Sequence, residues 1–376
     1  MKNKQKLVFV TGIYPLFKGG AEYQMRLIAD RLKEEYEIVF LYLGDVPGQQ
    51  VAQTRVEEIE GYKTYFIKSC TKLDSLTLKY TYGKRIYEVL KKEKPDFVYQ
   101  RVLKFMSYYI SKYQKELGYQ HFIHVADLFT LQFNTASLRG KFNYHFFKKT
   151  VANKSQFIVQ TGEQEQALQQ LQVKPILQVY NMHPTLNEDI MPFIEQKMRQ
   201  GVAHIVWVAN IKPIKQLEIF VELAEQLKDN PAFHFDLIGS IQDQAYAQPI
   251  LERMARLNNT THYQGKDNTF VNDYLLKNAS LVLNTSVSEG FSNVFIQSWL
   301  RGIPVLSLNS DPDQLFIKHP VLGACTQGSV KQLKEQLLQL VQTTAYKNNA
   351  IGCFEISTKL FSFENITRIK QLLEKN

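Results

Sequence analysis

The sequence is poor in the features that mark several protein classes. Its 376 residues include only three cysteines, Cys70, Cys325 and Cys353, which lie far apart. This spacing predicts reduced thiols rather than a disulfide framework or a metal cluster. No apolar run approaches the roughly 18 residues that a membrane helix needs. The run after the basic N-terminus, Leu7 to Val10, is shorter than the roughly 7–15 apolar residues of a signal-peptide core. These absences favour a cytoplasmic protein.

Two common nucleotide-binding motifs are also missing. Neither G-x-G-x-x-G nor G-x-x-x-x-G-K-[ST] occurs in the chain, which disfavours a dinucleotide dehydrogenase and a P-loop NTPase. We find no Ser-His-Asp, zinc or flavin constellation. Asp311 and Asp313 resemble a D-x-D metal site, but one pair without further ligands is weak, and we favour a turn or helix cap.

Positive charge is concentrated in the first half of the chain. Residues 1–180 hold 27 Lys and Arg against 17 Asp and Glu, whereas residues 181–376 hold 18 against 19. A basic half predicts an acidic partner, such as anionic lipid, a phosphorylated acceptor or nucleic acid, and the alternative is a solvated surface. The basic and aromatic segment KFNYHFFKKT, residues 141–150, comes without a nucleic-acid motif. We interpret it as a membrane-surface or lipid-acceptor contact, with a solvated helix as the alternative.

Apolar strands alternate with helices along the whole chain. At roughly 100–200 residues per domain, the length favours two domains. Strand-like runs such as KLVFVTG, YEIVFLYLG, AHIVWVAN and SLVLNTS are separated by helical patterns. This alternation predicts an α/β protein with parallel sheets that are covered by helices on both faces. We expect two Rossmann-like, doubly wound domains, residues 1–184 and 185–360, that face each other across a ligand-binding cleft.

The segment from Asn284 to Leu308, NTSVSEGFSNVFIQSWLRGIPVLSL, combines a strand, a polar loop and a helix. Gly290 permits an unusual backbone angle or a close ligand approach, and Ser292 or Asn293 can cap the helix. The free N–H groups at the helix start predict an anion site. Glu289 at its rim would repel a bare phosphate but would accept hydroxyl groups. The loop is therefore interpreted as a site for a sugar next to a phosphate, and the alternative is an acidic loop that caps its own helix.

Three other loops that follow strands carry candidate ligand-binding residues. Lys212 and Lys215 flank Pro213 at a helix entrance, where a lysine can reach a phosphate as a point charge; a solvated lysine is the alternative. Gly19 and Gly20 open the first long helix and are a second candidate for an anion or for close approach.

The third of these loops follows the segment HFIHVAD. His124 and Asp127 lie at the end of this strand, where we expect them to face the cleft. A histidine there can bind a substrate hydroxyl or act as an acid or base. A lone histidine at a strand end is more often structural.

Taken in order, these segments resemble a known enzyme family. KGGAE follows the first strand, KPIK opens the second domain, and EGFSNVFIQSWLRGIPVLSL lies near the end. The set is similar to the retaining nucleotide-sugar glycosyltransferases of family 4, which have the two-domain GT-B fold. The resemblance covers nearly the whole chain and is strongest in the second domain. It implies that residues 1–184 bind the acceptor, that residues 185–360 bind the donor, and that a helix within 361–376 crosses back to the first domain.

The resemblance also implies roles for individual residues. Glu289 would contact the transferred sugar, Lys215 would neutralise the donor diphosphate, and His124 would lie near the sugar, so these three are the catalytic candidates. The implied donor site consists of Gly20, Asn210, Lys215, Ser288, Glu289, Gly290, Phe291, Ser292, Asn293, Val294 and Gln297. The acceptor-side candidates are Gly19, His124 and Asp127.

Two positions depart from the family pattern. Asn210 stands where the family has an arginine that binds diphosphate, so one cation is missing. Gln297 stands where the family has a glutamate that accepts bonds from the donor ribose. A glutamine still accepts through its carbonyl oxygen, but it gives up a charge-assisted bond that is roughly twice as strong.

The implied activity is transfer of a hexose from a nucleotide-diphosphate sugar to an acceptor hydroxyl with retention of configuration. No metal or other cofactor is expected. The implied partners are the donor, a carbohydrate or lipid-linked acceptor and the anionic inner face of the cell membrane, in bacterial cell-surface polysaccharide or glycoconjugate synthesis. No nucleic-acid partner is expected. The alternative is a non-catalytic sugar- or nucleotide-binding partner subunit of a glycosyltransferase.

Overall fold

The chain forms two compact units in the computed structural model, which describes residues 4–17, 19–44, 54–68, 79–342 and 346–375. The first unit is Met1–Met182 with Glu364–Asn376, and the second is His183–Phe363. Of the three cysteines, Cys70 lies outside the described residues, whereas Cys325 and Cys353 are free thiols. The assignment of acceptor and donor to the two units stays a prediction.

The first unit is built around an eight-stranded sheet. Its elements up to residue 178 are β1 (Gln5–Val10), α1 (Gly20–Leu32), β2 (Tyr36–Leu43), β3 (Thr54–Ile59), β4 (Tyr62–Ile67), α2 (Tyr80–Glu93), β5 (Phe97–Gln100), α3 (Ser107–Leu117), β6 (Gln120–His124), α4 (Leu138–Ala152), β7 (Gln156–Val159), α5 (Gly162–Gln170) and β8 (Leu177–Gln178). The strand order is β3-β4-β2-β1-β5-β6-β7-β8. Leu7, Val8 and Phe9 of the central strand β1 are fully buried, as expected for a parallel sheet with both faces covered.

One hairpin in this unit was not predicted from the sequence. Strands β3 and β4 pair antiparallel and are joined by Glu60 and Gly61, which both have positive φ, 52° and 78°. Two-residue hairpin loops favour such angles because they match the twist of the strands. The sequence of β3, TRVEEI, is half charged, and its residues alternate between exposed and partly buried. This pattern is that of an edge strand, which has little apolar signal.

The second unit holds a six-stranded sheet in which every pairing is parallel. Its elements are α6 (Met191–Gln200), β9 (Ala203–Val208), α7 (Leu217–Gln226), β10 (Phe233–Ile238), α8 (Gln244–Met254), β11 (Thr260–Tyr263), α9 (Asn268–Lys277), β12 (Ala279–Asn284), α10 (Asn293–Trp299), β13 (Val305–Ser307), α11 (Leu315–Lys318), β14 (Gly323–Cys325), α12 (Val330–Gln342) and α13 (Tyr346–Phe361). The strand order is β11-β10-β9-β12-β13-β14. The predicted fold class, α/β with parallel sheets, is confirmed.

The order of strands places one loop pair at a topological switch point. From β9 the sheet continues through β10 to β11 on one side, and through β12, β13 and β14 on the other. The loops after β9 and β12 therefore leave the carboxyl edge as neighbours, although about 70 residues separate them in the chain. Such points are where open α/β sheets bind ligands.

The last helix, α14 (Glu364–Glu374), belongs to the first unit. Within that unit Lys370 Nζ lies 2.5 Å from a carboxylate oxygen of Glu35, and Ile366, Ile369 and Leu373 are buried. Helix α14 therefore contributes apolar side chains to the core of the first unit. Among the described residues, no helix is both long enough and apolar enough to cross a bilayer.

A buried carboxylate at the end of α2 holds three elements of the first unit together. Glu93 accepts from Lys6 of β1 at 2.9 Å, from Lys63 of β4 at 2.6 Å, and from the hydroxyl of Tyr65. Burial alone would raise the pKa of Glu93, but the hydrogen bonds from Lys63, Tyr65 and Lys6 outweigh it and lower the pKa from 4.5 to about 2. The carboxylate is therefore ionised in the folded protein.

We predict that Glu93→Gln lowers the free energy of unfolding by about 1–3 kcal/mol at pH 7, because charge-assisted hydrogen bonds are lost. Since the folded pKa lies below the unfolded one, this contribution is complete above about pH 4.5 and disappears as the pH falls towards 2. Urea unfolding followed by circular dichroism at several pH values measures the difference. A difference that stays constant down to pH 2 would contradict the assignment.

Candidate functional site

The loops after β9 and β12 are tied together by hydrogen bonds. Val287 N donates to the carbonyl of Ile214 at 2.9 Å, and Thr285 Oγ1 donates to the carbonyl of Lys215 at 2.7 Å. The indole N–H of Trp207, on β9, donates to Thr285 Oγ1 at 2.9 Å. These bonds hold the loop after β9 and the loop after β12 together at the carboxyl edge of the second sheet, and we call the two loops the loop pair.

Lys215 and Glu289 form an ion pair across this loop pair. Lys215 ends a short 3-10 helix, Pro213–Lys215, and proline at the first position suits a helix start. The Nζ atom of Lys215 donates to Glu289 Oε1. The side chains are only 18% and 13% exposed, so the pair is held in a partly desolvated environment where charges interact more strongly than in water.

Further donors fix the Glu289 carboxylate. Ser286 Oγ donates to Oε1 at 2.6 Å and Asn284 Nδ2 at 3.2 Å, while the backbone N–H of Glu289 donates to Ser310 Oγ at 3.0 Å. The contacts from the Lys215, Ser286 and Asn284 side chains all fall on Oε1. Within the part of the chain that the structure describes, no hydrogen bond to Oε2 is found, which leaves this oxygen to accept from a ligand hydroxyl.

The helix that follows Glu289 begins without a side-chain cap. Helix α10 starts at Asn293, and Ser292 occupies the N-cap position in an extended conformation, but its hydroxyl accepts no cap bond. Of the two cap candidates, Ser292 therefore makes no cap bond and Asn293 is the first helical residue. The helix N–H groups are not satisfied by the Ser292 side chain. The left-handed glycines of the described residues do not include Gly290, so the predicted unusual backbone angle is not found there. Phe291 packs on Phe361 with ring centroids 5.5 Å apart.

Gln297 lies inside the helix and is 2% exposed. Its Nε2 donates to Asn272 Oδ1 on α9 at 2.9 Å. Arg301 donates to the carbonyls of both residues, at 2.8 Å to Asn272 and 2.9 Å to Gln297. The glutamine amide thus joins α9 to α10, a structural contact that the sequence did not indicate. Ser288, Val294 and Asn210 are half-buried around the same loops.

The glycines at the start of α1 are placed as expected, but the helix end is not open. Gly19 is the extended N-cap residue and Gly20 the first helical residue. The carboxylate of Glu22, in the first turn, folds back over Gly19 so closely that a Cβ there would overlap Glu22 Oε2. The helix's own acidic residue therefore faces its positive end, as is favourable for a helix dipole.

His124 is a core residue in this structure. Its ring is fully buried, and Nδ1 lies 2.7 Å from both Tyr99 Oη and Arg101 Nη1. Because Arg101 can only donate, Nδ1 accepts and the proton resides on Nε2. Burial first, and then the Arg101 charge, hold the pKa of His124 well below its ordinary value. The expectation that His124 faces the cleft is therefore wrong. The residue is a neutral histidine in the core, because β6 is covered on both faces.

The aspartates of both units act as local acceptors. Asp127 Oδ1 accepts from the backbone N–H of Thr130 at 2.9 Å, beside the short 3-10 helix Phe129–Leu131. Asp311 Oδ1 accepts from the N–H of Phe316 at 3.0 Å, which agrees with the favoured turn or cap interpretation. Asp313 has a left-handed φ of 58°. No group of three or more His, Cys, Asp or Glu that could hold a metal is found among the described residues.

The second unit also matches a known family by sequence. Residues 203–343 match the model of the family described as Glycosyl transferases group 1. This span contains Lys215, Glu289 and the whole loop pair. No curated protein gives a significant match to the chain.

Solved structures share the fold over the full length. Anabaena HepE in complex with UDP and glucose is 16% identical with a TM-score of 0.72, and the match covers 99% of this chain and 100% of that one. Sucrose-phosphate synthase from Thermosynechococcus elongatus is 13% identical with a TM-score of 0.75, covering 99% of both chains. WaaG, a glycosyltransferase involved in lipopolysaccharide biosynthesis, is 14% identical with a TM-score of 0.68, covering 98% and 99%. At these identities the likeness establishes the GT-B type of fold, and the family match supports a glycosyltransferase at the level of group 1.

We predict that Lys215 and Glu289 are energetically coupled by about 0.5–3 kcal/mol in a double-mutant cycle with Lys215→Met and Glu289→Gln. The reason is that either substitution alone leaves the partner charge unpaired in a partly buried site. Urea unfolding followed by tryptophan fluorescence reports on this unit, because both tryptophans, Trp207 and Trp299, lie in it. Simple additivity of the two effects would contradict the ion pair.

Proposed function

We propose that the protein is a retaining, family 4 glycosyltransferase that transfers a hexose from a nucleotide-diphosphate sugar to an acceptor hydroxyl. The observation that carries the proposal is the Lys215–Glu289 pair at the topological switch point of the second sheet. In this proposal the cation binds the diphosphate and the adjacent carboxylate binds the sugar, beside the start of α10. The resemblance of EGFSNVFIQ to the family motif and the group 1 match support it.

In the proposed reaction the donor diphosphate displaces Glu289 as the partner of the Lys215 amine. The bond between the anomeric carbon and the diphosphate oxygen breaks, and negative charge grows on the leaving group. We assign the stabilisation of that charge to Lys215 and to the first N–H groups of α10, donors that are fixed before the reaction begins. Glu289 Oε2 accepts hydroxyl groups of the sugar and fixes its orientation.

The acceptor hydroxyl then attacks the anomeric carbon on the face that the diphosphate leaves, and configuration is retained. Its proton passes to the departing phosphate, so no protein base is assigned. This agrees with His124, which is neutral and buried and is not given a catalytic role here. In this scheme Lys215 and the helix amides neutralise the leaving group, and no metal ion is required of the reaction.

The setting that we propose is synthesis of a cell-surface polysaccharide or glycoconjugate, at the inner face of the membrane. The net charge of residues 1–180 favours peripheral contact with anionic lipid. WaaG is involved in lipopolysaccharide biosynthesis, and HepE was crystallised with UDP-glucose. UDP-sugars are therefore the first donors to test.

A non-catalytic partner subunit that binds sugar or nucleotide is the second candidate. The observations in its favour are Asn210, which replaces a cationic residue of the family, and the bonded amide of Gln297. The retained pair of Lys215 and Glu289 favours the enzyme.

We predict slow hydrolysis of the correct nucleotide sugar by the wild-type protein, found after a thermal-shift screen of nucleotide sugars. Lys215→Ala should reduce kcat/KM by about 10²–10³-fold, because one preorganised donor to the leaving group is lost. Glu289→Ala should reduce hydrolysis to a similar degree. The measurement is release of the nucleoside diphosphate.

Lys331→Ala is the control, since Lys331 is an exposed lysine of α12 in the same unit and lies outside the loop pair. It should retain most of the activity. Absence of hydrolysis and of transfer with every nucleotide sugar that binds would reject the enzyme and leave the partner subunit.

We further predict that Gln297→Glu binds the donor at least as tightly as the wild type does. Asn272 can turn its amide so that Nδ2 donates to the new carboxylate, and a ribose hydroxyl would gain a charged acceptor. Calorimetric titration with the nucleoside diphosphate measures this. Asn272→Asp combined with Gln297→Glu is the control, because two facing carboxylates should lower stability. Loss of donor binding in a folded Gln297→Glu protein would show that an anionic group of the donor lies there.

A further inference from the structure

Helix α4 has two apolar faces, of which only one is covered by the core. Phe147 and Val151 pack with Phe157 in the core of the first unit. Leu138, Phe142 and Phe146 recur at intervals of four and therefore lie on another face. On that face Leu138 is 86% and Phe142 38% exposed. A soluble surface helix normally has one apolar stripe, so the second face calls for a separate explanation.

The second face of α4 forms one wall of a cavity of about 630 Å³ within the first unit. This is in the size range of small-molecule sites, roughly 300–1,000 Å³. Phe105, from the loop after β5, stacks on Phe142 at 5.1 Å and meets Phe146 edge-on at 4.5 Å. Phe129 and Phe133, from the segment after β6, complete the aromatic lining. Phe129 is 56% exposed, so the aromatic surface continues outward to solvent.

Among the described residues that line this cavity, every charged one is a cation. Lys79 precedes α2, Lys104 follows β5, and Arg139 lies in the first turn of α4. Lys79 Nζ lies 5.6 Å from the ring centre of Phe105, so charge and aromatic surface meet directly. Among the described residues, no carboxylate lines the cavity and none forms a salt bridge with these three cations. Three cations from three separate elements are thus left to face a ligand.

We propose that this cavity binds a lipid anion, with the phosphate head group held by Lys79, Lys104 and Arg139 and the hydrocarbon chain lying on Phe105, Phe142 and Phe146. The match is one of charge and polarity: a sugar alone would not need the exposed rings, and a free phosphate would not use them. The aromatic surface that leads out past Phe129 and Leu138 gives the chain a path towards a membrane.

This assignment rests on the proposed function and specifies its acceptor, which would be a phosphate-headed lipid or a sugar linked to one. The two proposals can fail separately. Donor binding and hydrolysis depend on Lys215 and Glu289 in the second unit, whereas lipid binding depends on residues of the first unit alone.

The experiment is calorimetric titration of the full chain with dodecyl phosphate below its critical micelle concentration. Inorganic phosphate tests binding of the head group alone, and dodecyl maltoside tests binding of the hydrocarbon chain without the phosphate. We expect dodecyl phosphate to bind at least tenfold more tightly than either. Lys104→Glu with Arg139→Glu should weaken binding at least tenfold, and so should Phe142→Asp, while the melting temperature and donor hydrolysis stay unchanged.

Lys141→Glu with Lys148→Glu is the matched control, because it makes the same change in net charge at exposed positions of α4 outside the cavity lining. It should leave the affinity for dodecyl phosphate nearly unchanged. Equal weakening by both pairs would overturn the site in favour of a general basic surface. Equal affinity for inorganic phosphate would overturn the role of the rings, and equal affinity for dodecyl maltoside would overturn the role of the cations.

Discussion

The parallel pairing of β9 with β12 is the constraint on which the candidate site depends. Their register places His204 opposite Ala279 and Val206 opposite Val282, so both strands end together at the switch point of the sheet. The backbone bond from Val287 to Ile214 then holds the two loops at a fixed distance. Lys215 and Glu289 meet only because of this pairing. A change in register by one residue would turn the strand side chains to the opposite faces of the sheet.

The ion pair also explains how a charged site can persist in the absence of ligand. A lysine and a glutamate would each be costly if left unpaired in a partly buried loop. By pairing, they neutralise each other, and Ser286 and Asn284 hold the carboxylate in place. When the proposed donor binds, its diphosphate replaces Glu289 as the partner of Lys215, so binding requires little reorganisation of the loop.

Much of the fold was predictable because parallel strands and amphipathic helices leave a strong periodic signal. This signal predicts the apolar strands around Val8 and Val206 and the helices that follow them. The β3–β4 hairpin was missed because edge strands alternate weakly and TRVEEI is half charged. The second apolar face of α4 was visible as KFNYHFFKKT, but the sequence could not show that Phe105 and Lys104 would close a cavity beside it.

The α/β class, the loops that follow strands and the residue types at Lys215 and Glu289 can be inferred without a structure, because local propensity and apolar periodicity are short-range properties. Which of these residues meet and which are buried depends on the tertiary structure. It paired Lys215 with Glu289 and bonded Gln297 to Asn272. It also enclosed His124 between Tyr99 and Arg101, where desolvation keeps the imidazole neutral. Burial and long-range contact depend on the packing of elements that are distant in the chain, and no local pattern encodes them.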